Sequence, residues 1–185
     1  MKGRKTMIKI IALIGKSGAG KDTLLKRVLA KHPEYNNLIS YTTRPPRSNE
    51  VHGRDYYFID VPTFEEMTLS GMMLEAQAFN GWFYGKGVAN LSKTKINIGV
   101  FSPAGIESLL MYDDIDLKVF YIQTKDKIRI KRQLDREENP DIEEIFRRYE
   151  TDEEDFSELN FTYEVVLNNK KADINKAIKQ IVSFS

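Results

Sequence analysis

Residues 9–26 read KIIALIGKSGAGKDTLLK, and the fold is decided there. Ile10, Ile11, Ala12, Leu13 and Ile14 form an apolar, largely β-branched run that predicts a buried strand over 9–15. A turn signal begins at Gly15: Gly15-Lys16-Ser17-Gly18-Ala19-Gly20-Lys21 leads into a helix predicted from Asp22, with Leu24, Leu25, Val28 and Leu29 at helical spacing. Strand, glycine loop, helix is the context that a phosphate-binding loop requires. Glycines let successive backbone N–H groups turn toward an anion, the helix N-terminus adds partial positive charge, and Lys21 adds a full one. The stretch predicts a nucleoside triphosphate cradle built from Gly15, Ser17, Gly18, Ala19, Gly20, Lys21, Asp22 and Thr23. One position departs from the usual motif: Asp22 follows the lysine directly, and the hydroxyl comes one place later as Thr23. The aspartate either holds Mg²⁺, through its carboxylate or a water, or caps the helix it opens; both readings stand.

At 185 residues the chain is long enough for one domain with a real core and small inserted lobes. Lys plus Arg (28) nearly balances Asp plus Glu (27), so no global field draws it to nucleic acid or to an anionic membrane. Any basic site is local. Without cysteine there is no disulfide framework or thiolate metal site, which fits a reducing cytosol. No apolar run is long enough to span a bilayer, and MKGRKTMIKII leads into the first strand without a cleavable signal pattern, so the expectation is a cytoplasmic protein with no membrane partner.

The order predicted next is a strand near 38–41, then a polar, Pro-rich and aromatic region over 42–91. A strand over 95–101, a helix after Pro103, a strand over 117–122, charged helices from Asp126 and Asp141, a strand over 163–167 and a closing helix from Ala172 follow. This alternation predicts an α/β fold with a parallel sheet covered on both faces and a ligand at the carboxyl ends of its strands. The region 42–91 breaks the alternation. A strand at 56–59, a helix over 63–70 and a strand over 72–79 predict a small mixed lobe inserted between the second and third core strands.

Within that lobe, residues 40–58 read SYTTRPPRSNEVHGRDYYF and set Arg44 and Arg47 three apart across Pro45-Pro46. Proline fixes φ, so both arginines sit on a stiff stretch, and their forked guanidinium groups suit a phosphate dianion better than lysine does. Ser40, Tyr56 and Tyr84 complete a hydroxyl and guanidinium clamp. A solvated basic loop with tyrosines packed beneath it is the alternative, and the segment alone leaves both open.

Together with the phosphate loop, SYTTRPPR..E..G.DYYF is similar to the nucleoside-monophosphate-binding signature of guanylate kinases. Met73-Leu74-Glu75 and Tyr84-Gly85-Lys86 resemble that family's guanine-binding acid and its Tyr-Gly-hydroxyl motif. Arg132 and Arg136 resemble its lid arginines, Arg148 falls where the helix after the lid carries another, and Val166-Leu167-Asn168-Asn169 is similar to its last strand with its Asn. The resemblance runs from the first strand to the final helix. It implies a P-loop kinase three-layer α/β sandwich in one domain, 1–185. The core would be 7–41, 92–136 and 158–185, with an inserted mixed monophosphate-binding lobe over 42–91 and a short helical lid over 137–157.

The activity it implies is reversible transfer of the ATP γ-phosphoryl group to GMP or dGMP, with Mg²⁺. Lys21 would follow the β and γ phosphates, and Asn168 would belong to the ATP site. Ser40, Arg44, Arg47, Tyr56 and Tyr84 would hold the acceptor phosphate, while Glu75 would accept from guanine N1–H and its 2-amino group. Arg132, Arg136 and Arg148 would close on the transferring group. Such transfer is positioning and charge neutralisation, with no side-chain nucleophile. The implied partners are small nucleotides and no nucleic acid, for a monomer or weak homodimer.

The chain departs from the family near the base. Lys86 stands where a serine or threonine is usual, and it either donates to O6 or N7 of guanine, or to O4 of a pyrimidine, or points to solvent. The family's third core strand ends Asp-x-Asp-x-Gln-Gly; with that Gly on Gly105, Val100 and Ser102 stand in place of the acids. Asp22 is expected to take over the metal role. The acidic runs from Glu137 to Glu144 and over 151–155 are expected on solvated faces, and Trp82 and Phe83 inside the lobe. Two other readings stand beside the kinase. The Gly-Lys-Asp loop ending suggests a kinase of a phosphorylated sugar such as ribose 1,5-bisphosphate, against which the Arg44, Arg47, Tyr56 and Glu75 set counts. The second is an inactive guanylate-kinase-like protein-binding module, against which the intact loop counts.

Overall fold

The structure is a computed structural model that describes residues 7–47, 49–79, 81–135 and 139–183. The opening apolar run forms β1 (Ile8–Ile14), whose residues from Ile10 to Ile14 expose no surface. After the glycine loop comes α1 (Lys21–Lys31), which buries Leu24 and Val28. It begins one residue earlier than expected, and its N-cap is Gly20. Asp22 therefore lies exposed in the first turn and does not cap the helix.

The chain continues through β2 (Asn36–Asn37), β3 (Tyr41–Thr42), β4 (Tyr57–Phe58), α2 (Val61–Leu69), β5 (Met73–Phe79), β6 (Trp82–Gly87) and β7 (Asn97–Val100). Then come α3 (Pro103–Leu110), β8 (Ile115–Gln123), α4 (Asp126–Leu134), α5 (Ile142–Asp155), β9 (Glu164–Leu167) and α6 (Asp173–Val182). A parallel five-stranded sheet has the order β2-β7-β1-β8-β9, and a mixed four-stranded sheet the order β4-β3-β6-β5. The α/β class and the parallel sheet are as the alternation predicts. Among the described residues no helix is long and apolar enough to cross a membrane.

The second core strand is not where the apolar pattern put it. Asn36 and Asn37 pair with Asn97 and Ile98, whereas Tyr41, expected to close that strand, joins the four-stranded sheet with Thr42. Asn97, wholly buried, explains the register. Its Oδ1 accepts from Asn36 Nδ2 and Ser92 N–H, each at 2.8 Å, and its Nδ2 donates to the carbonyls of Ser92 (2.8 Å) and Lys9 (3.1 Å). The two asparagines form a buried amide clip.

The chain divides into two units, one from residues 1–10, 34–99 and 104–117, the other from 11–33, 100–103 and 118–185. In the first, α2 packs on the four-stranded sheet, with Phe64 stacked on Phe83 at 5.4 Å. Phe83 fills the lobe as expected, but Trp82, at the end of β6, is 38% exposed. In the second, α1 packs on α6, which buries Ala177, Ile178 and Ile181, and α4 packs on α5.

Replacing Asn97 by alanine removes the clip and leaves buried backbone groups without partners. The expected cost is about 2–4 kcal/mol, read as a lower urea midpoint at unchanged m.

Candidate functional site

The phosphate loop is held from behind by three donors on one carbonyl. The Ala19 oxygen accepts from Asn168 Nδ2 (2.8 Å), Thr124 Oγ1 (3.1 Å) and Arg132 Nη1 (3.2 Å), and Arg132 Nη2 donates to the Asn168 carbonyl at 3.0 Å. Arg132 and Asn168 thus meet at the loop, and Thr124 joins them unforeseen. Gly18 has φ 76, and a Cβ there would lie 2.5 Å from the Arg129 carbonyl oxygen, so the loop rests against α4 in a way no other residue allows. Lys21 Nζ donates to the Gly15 carbonyl and, at 3.3 Å, to that of Lys16. Burial pushes its ammonium below the ordinary lysine range, against the pull of Asp22 and Asp152.

Ser17 is tied to α5. Its N–H donates to Asp152 Oδ2 at 2.7 Å and its hydroxyl to Oδ1 at 3.2 Å. Arg129, only 1% exposed, donates through Nη1 to the Ser17 carbonyl and to Asp152 Oδ2, both at 3.1 Å. Its Nη2 donates to Asp126 Oδ1 at 2.8 Å, and its guanidinium lies 5.3 Å over the Tyr149 ring. This corrects the reading of 151–155 as a solvated face: Asp152 is buried, because a buried guanidinium needs a counter-charge and the Ser17 amide needs an acceptor. The available signal was helical spacing, since residues 145, 149 and 152 fall on one stripe of α5. Arg129 had no such mark in a helix rich in cations. Arg148 sits on α5 with its Nε on Glu144 Oε1 at 2.5 Å, and Arg136 lies outside the described residues.

In the other unit, Glu50 organises the two arginines. Arg44 Nη2 donates to both Glu50 oxygens at 2.8 Å, and the Arg47 N–H donates to Glu50 Oε2 at 2.8 Å. The Arg44 guanidinium stands 5.6 Å over the ring of Tyr56, which meets Tyr84 edge-on at 6.2 Å. Arg44, Arg47, Tyr56 and Tyr84 are therefore gathered. The Arg44 side chain is 12% exposed, so the solvated-loop alternative fails for it. Burial pushes the Glu50 carboxyl up, but the Arg47 amide and the Arg44 guanidinium outweigh it and hold it below the ordinary carboxylate range. Glu50 is in the quoted signature, yet no role was read for it.

Glu75 on β5 and Lys86 on β6 are direct cross-strand partners. Lys86 Nζ donates to Ser40 Oγ at 2.8 Å and lies 3.7 Å from Glu75 Oε1. Lys86 is 2% exposed and Glu75 6%, so the solvent-pointing reading of Lys86 is overturned: the buried carboxylate draws its counter-charge inward. Glu75 Oε2 is buried with no hydrogen-bond partner. Burial raises the Glu75 carboxyl above its ordinary range, and Lys86 offsets part of the rise.

A family model described as guanylate kinase matches residues 7–184. The chain belongs to the guanylate kinase family. A guanylate kinase of Ruegeria sp. is 30% identical over 180 residues, 94% of this chain and 82% of that relative. A guanylate kinase of Nostoc sp. is 48% identical over 77 residues, 42% of this chain and only 39% of the relative's length. The match to several curated relatives thus spans less than half of their length, 45% for one from Geobacter metallireducens. The crystal structure of guanylate kinase from Anaplasma phagocytophilum aligns with TM-score 0.71 at 20% identity over 97% of this chain and 85% of that one, a likeness of fold.

Asp152→Ala leaves the Arg129 guanidinium buried without that partner and is expected to cost about 3 kcal/mol in chemical denaturation. The double change Arg129→Met with Asp152→Leu recovers part of that loss, because no unpaired charge is left behind although the Ser17 amide still lacks its acceptor.

Proposed function

We propose that the chain is an ATP-dependent kinase that passes the γ-phosphoryl group of ATP to GMP or dGMP. The observation that carries this reading is the intact phosphate loop, with Lys21 and its carbonyls tied back, in a chain of the guanylate kinase family. The relatives reported above are all named guanylate kinase, and neither the sugar-phosphate reading nor the binding-module reading finds support among them.

The chemistry follows from the residues. Backbone amides of residues 15–21 and the α1 N-terminus receive the donor phosphates, and Lys21 follows the β and γ groups. Arg44, Arg47, Tyr56 and Tyr84 hold the acceptor phosphate; Ser40 accepts from Lys86 and keeps its own O–H to donate. Glu75 receives guanine N1–H and the 2-amino group. An acceptor phosphate oxygen attacks the γ-phosphorus in line, that P–O bond forms as the bond to ADP breaks, and Arg132, Arg136 and Arg148 neutralise the group in flight. Lid closure over the reaction keeps water from taking the phosphoryl group.

Among the described residues no three His, Cys, Asp or Glu side chains converge as a metal site. The residues still fit Mg²⁺, which takes one or two carboxylates and fills its shell with phosphate oxygens and waters. Asp22, exposed beside Lys21, would be that carboxylate. Bound there, the ion would neutralise charge on the donor phosphates. The same reading sets the protein in the cytoplasm as a monomer or weak homodimer, with nucleotides as its partners and no nucleic acid; its balanced charge supports this.

A steady-state assay against GMP, dGMP, dTMP, dCMP, dAMP and ribose 1,5-bisphosphate tests the reading. The expected result is preference for GMP or dGMP, with Lys21→Ala lowering kcat about 10²- to 10³-fold; turnover led by dTMP or the sugar phosphate, or none at all, contradicts it. A pH profile follows from Glu75, whose folded pKa is raised, so it takes up a proton at higher pH than an ordinary glutamate. The protonated acid accepts poorly from guanine, so kcat/KM for GMP falls as pH drops through a value above the ordinary carboxylate range. Glu75→Gln removes that step from the profile.

A further inference from the structure

We propose that Asp152 is a positioning residue for phosphoryl transfer: it fastens α5 to the phosphate loop, so that Arg148, one turn earlier on the same helix, is set in place relative to the donor phosphates. This deepens the kinase reading given above and rests on it.

The fastening joins three segments of one unit. From the loop, the Ser17 N–H donates to Asp152 Oδ2 at 2.7 Å and the Ser17 hydroxyl to Oδ1 at 3.2 Å, so a single residue engages both carboxylate oxygens. From α4, Arg129 Nη1 donates to that Oδ2 and to the Ser17 carbonyl, each at 3.1 Å, which ties the loop and α5 to one guanidinium. A second tie lies beside the first, with Lys16 Nζ 2.6 Å from Glu153 Oε2. The Tyr149 hydroxyl donates to Asp126 Oδ2 at 3.3 Å, and Asp126 Oδ1 accepts from Arg129 Nη2 at 2.8 Å. Residues 149, 152 and 153 of α5 are thus all bound to the loop or to α4, and Arg148 immediately precedes them.

Positions 148 and 152 are four apart in the continuous helix Ile142–Asp155, so their side chains share one stripe a turn apart. The Arg148 side chain is 22% exposed against 51% for Arg147, which marks 148 as the more enclosed of the two arginines. Glu144 Oε1 accepts from its Nε at 2.5 Å and steadies the guanidinium along the helix. Glu144 thus sets Arg148 on α5, and Asp152 sets α5 on the loop.

A carboxylate at this place is unfavourable for ATP binding alone. It puts negative charge on an amide of the very loop that receives a polyanion, and a buried ion pair is a poor source of net stability. Such a pair does hold geometry, because forked, charge-assisted hydrogen bonds are directional. Transfer needs that, since a group about 1 Å out of place can lower the rate roughly 10²-fold. An arginine indexed to Ser17 is indexed to the loop that holds the phosphates.

The test measures kcat and KM for ATP, with saturating GMP, in the full chain carrying Asp152→Asn, Arg148→Ala or both. Asp152→Asn keeps the size of the side chain and gives up its charge. It is expected to lower kcat about 10- to 10²-fold while KM for ATP stays within about threefold; in the Arg148→Ala background the same change is expected to lower kcat less than about twofold. A raised KM with kcat kept means that Asp152 only shapes the loop. An undiminished loss in the double variant means that it acts apart from Arg148, and an unchanged kcat in either single variant means that Arg148 needs no such setting. Each of these results overturns the proposal. If Asp152→Asn does not fold, judged by near-ultraviolet circular dichroism, Arg129→Lys answers with the same readouts and the same expected split, because it keeps the charge but not the fork that reaches Ser17 and Asp152 together. Failure of the kinase reading itself is a separate outcome, the absence of any GMP turnover by the parent chain.

Discussion

A buried charge survives folding only with a partner, and that constraint shapes both units of this chain. In one unit Arg129 is buried against Asp152 and Asp126, and the same Asp152 takes the Ser17 amide, so the phosphate loop is held by an ion pair rather than by packing alone. In the other, Lys86 is buried against Glu75 and Ser40, and Glu50 gathers Arg44 and Arg47. Each of these charges would be expensive alone. Within each unit the pairing fixes the charged groups in place.

The parts legible in the sequence were those that follow from local chemistry. An apolar run ending at a glycine loop before a helical stripe means a phosphate loop whatever else surrounds it, and alternating strands and helices mean a parallel sheet. What stayed hidden depended on contacts between distant residues. The pairing of Asn36 with Asn97 joins residues 61 apart in the chain, and β6 carries Gly85 and Gly87, a residue type depleted in strands. One inward acid among the four of 152–155, Asp152, carries no compositional mark. Lys86 was named as a base-pocket residue, but its burial is a consequence of the cross-strand register that sets it opposite Glu75.

The departures from the family pattern read in the sequence lie at two places in the chain. Where the family has acids at the end of the third core strand, this chain has Val100 and Ser102, and the preceding Gly99 accommodates the stem of a lysine. The phosphate loop, by contrast, keeps every glycine and its lysine, and shifts only one carboxylate, Asp22, into the first turn of α1.

The most direct test of the account is ³¹P NMR of a mixture of the purified chain, Mg²⁺-ATP and GMP. The account predicts that the γ-phosphorus signal is lost while ADP and GDP signals grow in equal amounts. ADP and inorganic phosphate without GDP, or a spectrum that does not change, would contradict it.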